Sequence, residues 1–150
     1  MKIAIACDHA ALNLKNGIVK HLIDCGHEVT DYGIHEEVAV DYPDYAIQVA
    51  EAVAEGKAER GILICGTGIG MSIAANKVKG IRCALCSDTF SAHATREHND
   101  ANILAFGERV VGAGLATDIV DTFINTPFSE AERHKGRIAK ITNIENKYFK

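Results

Sequence analysis

Residues 61–65, Gly-Ile-Leu-Ile-Cys, form an almost wholly apolar run that leads directly into a glycine-rich turn. A strand of this composition is expected at the centre of a parallel sheet, where helices cover both faces. The residue that ends the run is Cys65, and the glycines that follow allow the backbone to turn sharply. The chain is therefore expected to place a thiol at the edge of a buried sheet.

Strand-like and helix-like segments alternate along the rest of the chain, with short links between them. The predicted strands are residues 2–7, 28–32, 61–65, 81–86 and 102–106. The predicted helices are one with apolar positions Leu12, Ile18, Val19, Leu22 and Ile23 that ends at Gly26, one with a core face of Tyr45, Val49 and Val53 that ends at Gly56, and the segments 71–77, 89–98, 115–124 and 129–147. This alternation favours a Rossmann-like, three-layer α/β/α fold with a five-stranded parallel sheet and right-handed crossovers. At 150 residues, the chain 1–150 is expected to be a single domain.

Composition and charge exclude several classes of protein. Hydrophobic residues make up 47% of the chain and charged residues 24%, which excludes a disordered or collagenous chain. The formal net charge of -4 provides no broad positive field for nucleic acid or an anionic membrane. An anionic substrate must therefore be held by a local basic pocket.

The location of the protein is predicted from its apolar segments and its cysteines. The N-terminal apolar stretch is too short for a signal peptide, and no stretch approaches the roughly 20 apolar residues of a membrane span. The five cysteines, at positions 7, 25, 65, 83 and 86, are odd in number and lack the spacing of a disulfide framework. We expect free thiols in a cytoplasmic protein.

Ligands of open parallel sheets collect at the carboxyl ends of the strands, which directs attention to the residues just after each strand. These residues are Asp8, His9, Cys65 to Ser72, Ser87, Asp88 and Gly107 to Arg109. The strongest local signal among them is the segment 65–72, Cys-Gly-Thr-Gly-Ile-Gly-Met-Ser, where a strand ends and a helix begins. Its glycines allow several N–H groups to point into one concavity, which suits a phosphate or an oxyanion and favours the thiolate form of Cys65. The alternative is a glycine turn beside a buried structural cysteine.

Three familiar motifs fail at this turn. The dinucleotide fingerprint G-x-G-x-x-G requires glycine where Met71 stands, and the Gly-Lys-Ser/Thr of a P-loop is absent. A cysteine phosphatase of the C-x5-R type requires arginine at the same position, since the guanidinium grips the transferring phosphoryl group. Proton transfer is therefore the better use of a Cys65 thiolate.

Other polar residues have both a functional and a structural interpretation. His9 is placed to reach a ligand over Cys65, whereas Asp8 beside it could simply bond its own turn. His98 closes a helix, so it is either an acid/base or a cap. Arg133 and Arg137 lie at i and i+4, a spacing that can bracket a phosphate but also occurs on solvated surfaces.

Two further features bear on ligands. Arg109 has similar chemistry to the paired arginines and a better position, just past the fifth strand. Cys83 and Cys86 match C-x-x-C, but residues three apart in a strand project to opposite faces, which prevents them from binding one metal ion. We assign no metal site and no cofactor.

Several separated motifs together resemble ribose-5-phosphate isomerase type B over nearly the whole chain. The longest is the segment 65–77, Cys-Gly-Thr-Gly-Ile-Gly-Met-Ser-Ile-Ala-Ala-Asn-Lys. The others are Cys7-Asp8-His9, Asp41-Tyr42-Pro43, Arg96-Glu97-His98-Asn99-Asp100-Ala101-Asn102, Gly107-Glu108-Arg109-Val110-Val111 and Arg133-His134. The resemblance implies a metal-independent aldose–ketose isomerase that interconverts ribose 5-phosphate and ribulose 5-phosphate in the pentose phosphate pathway.

The resemblance also implies a role for individual residues. Cys65 is the base that moves a proton between C1 and C2, Thr67 assists near the substrate oxygens, and His98 opens the furanose ring with Asp8 close by. The implied substrate and phosphate contacts are His9, Tyr42, Asn99, Arg109, Arg133, His134 and Arg137, together with N–H groups of Gly66, Gly68, Gly70 and Ser72. The implied assembly is a homodimer or a dimer of dimers with shared active sites, in which the C-terminal helix extends to the neighbouring subunit.

Two positions depart from the family pattern, and several alternative functions remain open. Ala11 and Glu132 stand where glycine is usual, and a Glu132 carboxylate would weaken phosphate binding unless it points away. The nearest alternative is an isomerase of galactose 6-phosphate or allose 6-phosphate, and His98-Asn99 favours the pentose branch. A cysteine phosphatase and a non-catalytic phosphate-binding module are more distant alternatives.

Overall fold

A computed structural model describes residues 1–149. The strands are β1 Lys2–Cys7, β2 Glu28–Asp31, β3 Arg60–Cys65, β4 Cys83–Leu85 and β5 Ile103–Gly107. The helices are α1 Leu12–Asp24, α2 Tyr42–Ala54, α3 Ile69–Ala75, α4 Thr89–Asn99, α5 Ala113–Asn125 and α6 Glu132–Tyr148. Among residues 1–149, no helix combines the length and the apolar character that a membrane crossing requires.

The five strands form one parallel sheet in the order β2-β1-β3-β5-β4. The predicted three-layer α/β/α fold is confirmed. The glycine-rich segment after β3 lies at the centre of the carboxyl edge, because Cys65 is in register with Gly107 on β5 and Cys7 on β1 is in register with Ile64.

Each face of the sheet has its own apolar core. Side chains of β3 alternate between them: Ile62 and Ile64 join the core beneath α1, α4 and α5, whereas Leu63 and Cys65 join the core beneath α2 and α3. Alternating side chains of a strand project to opposite faces, so β3 buries apolar groups on both sides, as its composition predicts. Cys65 thus faces the same layer as the helix that begins just after it.

One of the predicted apolar positions, Ile23, is exposed, and several others lie at the margin of the cores. In α1 the buried residues are Leu14, Lys15, Ile18 and Leu22, whereas Ile23 is exposed because it lies about 100° around the helix from Leu22. In α2 the buried residues are Ala46, Val49, Ala50 and Ala52, and Tyr45 and Val53 are only half-buried. This helix lies very close to β3: a Cβ at Gly61 would come 2.7 Å from Cγ1 of Val49, so small side chains are required at the contact.

The edge strand β4 is shorter than expected, with three residues instead of the predicted 81–86. Cys86 packs in the core beneath α4, whereas Cys83 packs against the core beneath α3. The prediction that these two cysteines project to opposite faces is confirmed. The last helix also begins at Glu132 instead of residue 129, since Ser129 is used to bond His134.

Candidate active site

The segment after β3 is bonded directly to the segment after β5. The backbone N–H of Glu108 donates to the carbonyl of Cys65 at 2.9 Å, and that of Arg109 donates to the carbonyl of Gly66 at 3.0 Å. A Cβ at Gly107 would overlap the backbone of Thr67, so only glycine permits this close approach. The two segments are therefore packed backbone to backbone beside the Cys65 thiol.

Cys65 is 5% exposed, and its sulfur accepts a hydrogen bond from the N–H of Gly68 at 3.0 Å. A donor at this distance stabilises a negative charge on sulfur. Gly68 has φ +79°, and a Cβ there would lie 2.7 Å from Cα of Phe106. The positive φ and the lack of space both require glycine at the position that holds the thiol.

The glycine-rich segment directs fewer free N–H groups outward than the sequence implied. The N–H of Gly68 is used by Cys65, and that of Ser72 donates to the carbonyl of Gly68 at 3.0 Å. The Ser72 hydroxyl donates to the carbonyl of Ile69 at 2.7 Å. Of the four predicted N–H donors, those of Gly66 and Gly70 have no hydrogen-bond partner within residues 1–149, so these two are available to a bound oxyanion.

Asp8 and His9 lie beside this segment, because the N–H of Asp8 donates to the carbonyl of Ile64 at 3.2 Å. Asp8 is 8% exposed, and its carboxylate accepts the N–H of Ala10 at 2.9 Å. This bond within its own turn is the structural interpretation of Asp8 given above. His9 is exposed, and its Nδ1 accepts the N–H of Val40 at 3.2 Å.

Two larger side chains frame the glycines. The ring of Tyr42, in the first turn of α2, lies so close to Gly70 that a Cβ there would come 2.5 Å from its Cζ. The Arg109 guanidinium lies over Gly66, with Nη1 3.2 Å from a Cβ built at that residue. We call the residues gathered here the carboxyl-edge group: Asp8, His9, Tyr42, Cys65, Gly66, Thr67, Gly68, Gly70, Ser72 and Arg109.

The remaining candidate residues lie at the opposite edge of the sheet. Helix α4 leaves the carboxyl end of β4 and returns to the start of β5, so its C-terminal residues His98 and Asn99 lie beside the amino ends of the strands. Its 11 residues separate the two edges by about 16 Å. Within one chain, His98 is therefore not close to Asp8 or Cys65.

The first turns of α6 pack against this end of α4. The N–H of Ser129 donates to the carbonyl of Glu97 at 3.1 Å, and the rings of His98 and His134 lie 4.5 Å apart. Arg133 and Arg137 are exposed on the same helix. We call these residues the amino-edge group: His98, Asn99, Arg133, His134 and Arg137.

His134 is the one buried residue of α6, and its Nδ1 is 2.7 Å from the hydroxyl of Ser129. Burial lowers the pKa of His134, and the positive charges of Arg133, His98 and Arg137 lower it further, with Glu97 acting in the opposite direction. Both effects favour the neutral imidazole, which still has a ring N–H that can donate a hydrogen bond.

Glu132 does not oppose the paired arginines. Its side chain is 92% exposed, and its carboxylate lies 3.7 Å from the Lys135 ammonium. Within residues 1–149, the departure from the family pattern at this position therefore places no carboxylate against Arg133 or Arg137. Among residues 1–149, no three His, Cys, Asp or Glu side chains come together in a metal-binding cluster.

Sequence reasoning missed one residue at the amino edge, Arg82, whose guanidinium binds the turn that follows His98 and Asn99. Its partners are backbone carbonyls from a segment 17 and 18 residues away. Carbonyl partners leave no mark in the amino-acid sequence, so no motif identifies this contact.

The chain closely resembles sugar-phosphate isomerases in both sequence and structure. It is 57% identical to the putative sugar phosphate isomerase YwlF of Bacillus subtilis, over 98% of this chain and 99% of that protein. It is 53% identical to ribose-5-phosphate isomerase B of Escherichia coli, over 97% of each chain. The structure of Clostridium thermocellum ribose-5-phosphate isomerase B matches with a TM-score of 0.96 and 56% identity, over 99% of each chain.

The sequence model of the family described as Ribose/Galactose Isomerase matches residues 3–141. This range includes the whole carboxyl-edge group and the whole amino-edge group. By this match and by its similarity to these relatives, the chain belongs to the ribose/galactose isomerase family.

Proposed function

We propose that this chain is an aldose–ketose isomerase that interconverts ribose 5-phosphate and ribulose 5-phosphate. The observation that carries the proposal is the Cys65 thiol at the end of a central strand, bonded by one glycine N–H and flanked by the free N–H groups of Gly66 and Gly70. Relatives named ribose-5-phosphate isomerase B match the chain over nearly its full length, which supports this substrate.

In the proposed reaction, the Cys65 thiolate removes the proton from C2 of the open-chain aldose. The electron pair moves toward the carbonyl oxygen and forms an enediolate, and the thiol then returns the proton to C1. Thr67 is exposed beside the thiol and assists proton movement between the two oxygens. The N–H groups of Gly66 and Gly70 stabilise the enediolate, and losing one such donor typically raises the barrier by about 3 to 4 kcal/mol.

Only the open-chain sugar has this acidic proton, so a second acid/base group is needed for ring opening. We propose His98 for this step, with Asp8 near the sugar and Asn99 contacting the enediolate oxygens. The phosphate is bound by His9 and Arg109 from the carboxyl edge and by Arg133, His134 and Arg137 from the amino edge, while Tyr42 contacts the sugar. This scheme needs neither a metal ion nor a cofactor.

The two groups lie at opposite edges of one sheet, so the scheme requires two subunits with shared active sites. Exposed apolar side chains close to the carboxyl edge support a subunit contact there: Ile69 is 50% exposed, Ile73 57%, Leu85 41% and Phe90 77%. We therefore propose a homodimer, or a dimer of dimers, in which α6 and the end of α4 reach the neighbour's Cys65.

The proposed setting is a reducing cytoplasm and the pentose phosphate pathway. Support for the first comes from the cysteines, since all five are free thiols and none has formed a disulfide in residues 1–149. Support for the second comes from the proposed substrate and product. Residues 1–150 are proposed to act as one isomerase domain.

The decisive experiment measures conversion of ribose 5-phosphate to ribulose 5-phosphate by purified protein in the presence of a chelator. Cys65→Ala is expected to lower kcat by about 10² to 10⁴, which is the usual contribution of a positioned acid or base. Cys25→Ala is the matched control, because that thiol is exposed on the far end of α1 and should leave the rate unchanged. Near-full activity of Cys65→Ala would exclude the assigned base, and a parallel assay of six-carbon aldose phosphates tests the galactose- and allose-type alternatives.

A further inference from the structure

Arg82, just before the edge strand β4, binds the turn that ends α4. Its Nε donates to the carbonyl of Asn99 at 2.9 Å, and its Nη2 donates to the carbonyl of Asp100 at 2.9 Å. The same Nη2 lies 3.5 Å from the Asp100 carboxylate. One guanidinium thus bonds the two consecutive carbonyls that follow His98.

A second guanidinium holds the turn from the side of α5. Arg96 is 2% exposed, and its Nη1 donates to the Asp100 carboxylate at 2.8 Å and to the carbonyl of Ala101 at 2.6 Å. Its Nε donates to the carbonyl of Thr126 at 3.2 Å. Asp100 has a left-handed backbone, with φ +46° and ψ +43°, which is uncommon for a residue other than glycine and must be fixed by its surroundings.

The position of Arg82 is itself fixed. Its backbone N–H donates to the side-chain oxygen of Asn102 at 2.9 Å, and the side-chain amide of Asn102 donates to the carbonyl of Gly80 at 2.9 Å. The guanidinium is 26% exposed, so its bonds to the turn are only partly in competition with water. Arg82 therefore connects the edge of the sheet to the end of α4 through bonds at both its backbone and its side chain.

The last carbonyls of a helix have no partner within the helix, and an end without partners frays. His98 and Asn99 are the last two residues of α4, both are exposed to solvent, and Arg82 supplies the partner for the Asn99 carbonyl. We propose that Arg82 is a positioning residue for furanose ring opening, because it holds the backbone that carries His98 in one orientation. This inference rests on the proposed function and assigns to Arg82 no contact with the substrate.

Lysine cannot replace the arginine fully. Guanidinium presents donors in a fixed planar fork, which allows Nε and Nη2 to reach two neighbouring carbonyls at once, whereas an ammonium is a single point charge. Arg82→Lys is therefore expected to fall between the wild type and Arg82→Met in every measurement below.

The two directions of the reaction separate ring opening from isomerisation. Ribose 5-phosphate rests as a furanose closed through O4, so consuming it requires ring opening. Ribulose 5-phosphate has its O5 blocked by phosphate and stays open-chain, so its consumption starts at the proton-transfer step and yields an aldehyde that closes in solution. Loss of His98 orientation should thus lower kcat for ribose 5-phosphate more than kcat for ribulose 5-phosphate. KM for ribose 5-phosphate should fall in parallel, because the closed sugar then binds unproductively and the overall equilibrium fixes the ratio of the two kcat/KM values.

The experiment compares initial rates in both directions for the wild type, Arg82→Met, Arg82→Lys and Arg60→Met. We expect Arg82→Met to lower kcat for ribose 5-phosphate about 10-fold or more, and the rate with ribulose 5-phosphate by roughly threefold or less, since acid–base catalysis by a positioned group contributes at least 10². His98→Ala should show the same asymmetry. Arg60→Met is the control for loss of a positive charge near the turn: within residues 1–149 the Arg60 guanidinium interacts with the charges of Arg96 and Asp100 but donates its hydrogen bond to the carbonyl of Glu59, so both rates should change much less than in Arg82→Met.

Hydrogen exchange of the amides of residues 99–101 gives a readout that does not depend on activity. We expect faster exchange there in Arg82→Met than in Arg60→Met, with the rest of the chain unchanged. Equal losses in the two directions, or unchanged exchange at residues 99–101, would overturn the positioning role. If the wild type consumed neither sugar, the proposed function would fail, and the exchange result alone would still decide whether Arg82 holds the turn.

Discussion

At the scale of single residues, the site depends on positions where no side chain fits. Gly68 and Gly107 bring the segments after β3 and β5 into contact, and in both cases the obstacle to a Cβ is backbone, which cannot move aside. At Gly70 the obstacle is the Tyr42 ring. The glycines of this segment are therefore needed for close packing as well as for turning the chain.

Gly107→Ala is expected to damage both stability and activity. Its methyl group would overlap the Thr67 backbone and separate the two segments beside Cys65. Overpacking of this kind typically lowers the unfolding free energy by about 1–3 kcal/mol. Gly114→Ala is the matched control, since nothing lies within 4 Å of a Cβ there. Chemical denaturation and kcat of both variants test this, and a fully stable, fully active Gly107→Ala would contradict the close approach.

A buried ion pair between α1 and β2 should contribute strongly to stability. Lys15 is 0% exposed, and its ammonium bonds the Asp31 carboxylate and, at 2.9 Å, the carbonyl of Ile34. Asp31→Asn keeps a side-chain oxygen for the N–H of Gly33 but leaves the ammonium unpaired, so we expect a loss of about 3 kcal/mol in unfolding free energy.

The exposed pair Lys20–Asp24 provides the control for this measurement. Its side chains are 78% and 61% exposed, so Asp24→Asn should leave the unfolding free energy nearly unchanged. Urea unfolding of the two variants compares the pairs directly. Equal effects would show that burial does not determine the contribution of the Lys15–Asp31 pair.

At the scale of elements, the sequence predicted the helices and strands better than it predicted the side-chain contacts between them. All five strands were located, and β3 was the clearest because a strand buried on both faces must be apolar on both. The faces of α1 and α2 were less predictable: Lys15 is buried because Asp31 reaches it from another element, and the alanines of α2 are buried because Gly61 lets the helix approach. Such pairings depend on tertiary contacts that periodicity does not contain.

The candidate site also has features that the sequence could predict and one that it could not. The carboxyl-edge group was predictable, since residues after parallel strands meet at one edge. The separation of His98 from Cys65 also follows from topology, because a crossover helix runs antiparallel to its strands and carries its C-terminal residues to the other edge. The contact of His98 with His134 was not predictable, because it depends on how α6 returns to α4.

The junction of α4 and α6 should make stability depend on pH through His134. Its pKa is lowered in the folded chain by burial and by nearby positive charges, so between that pKa and the unfolded value of about 6.5 the unfolded chain binds more protons. Stability is therefore highest above pH 6.5 and falls as the pH drops through this window.

The test compares unfolding free energies at pH 7.5 and 5.5 for the wild type and His134→Asn. Asparagine keeps a polar group for the Ser129 hydroxyl but has no proton to bind in this range. The variant should lose less stability on acidification than the wild type does. An identical loss in both proteins would exclude His134 as the source of the pH dependence.

At the scale of the whole molecule, the proposed scheme gives each subunit two incomplete halves of a site at opposite edges of its sheet. A single twofold axis would complete both sites, because an isologous contact would place the carboxyl edge of each subunit against the amino edge of the other. The apolar side chains left exposed toward the carboxyl edge, such as Phe90 on the first turn of α4, are suited to such a contact.

Mixing two inactive variants tests this assembly. One variant is Cys65→Ala, which lacks the base, and the other carries both Arg133→Ala and Arg137→Ala, which lacks the phosphate anchors. In a hybrid dimer one site receives both defects and the other receives none. Random exchange makes about half of the dimers hybrid, and half of their sites work, so the mixture should regain about a quarter of wild-type activity. If each site were built within one chain, every site would keep one defect, and the mixture would stay inactive although mass spectrometry showed that the subunits had exchanged.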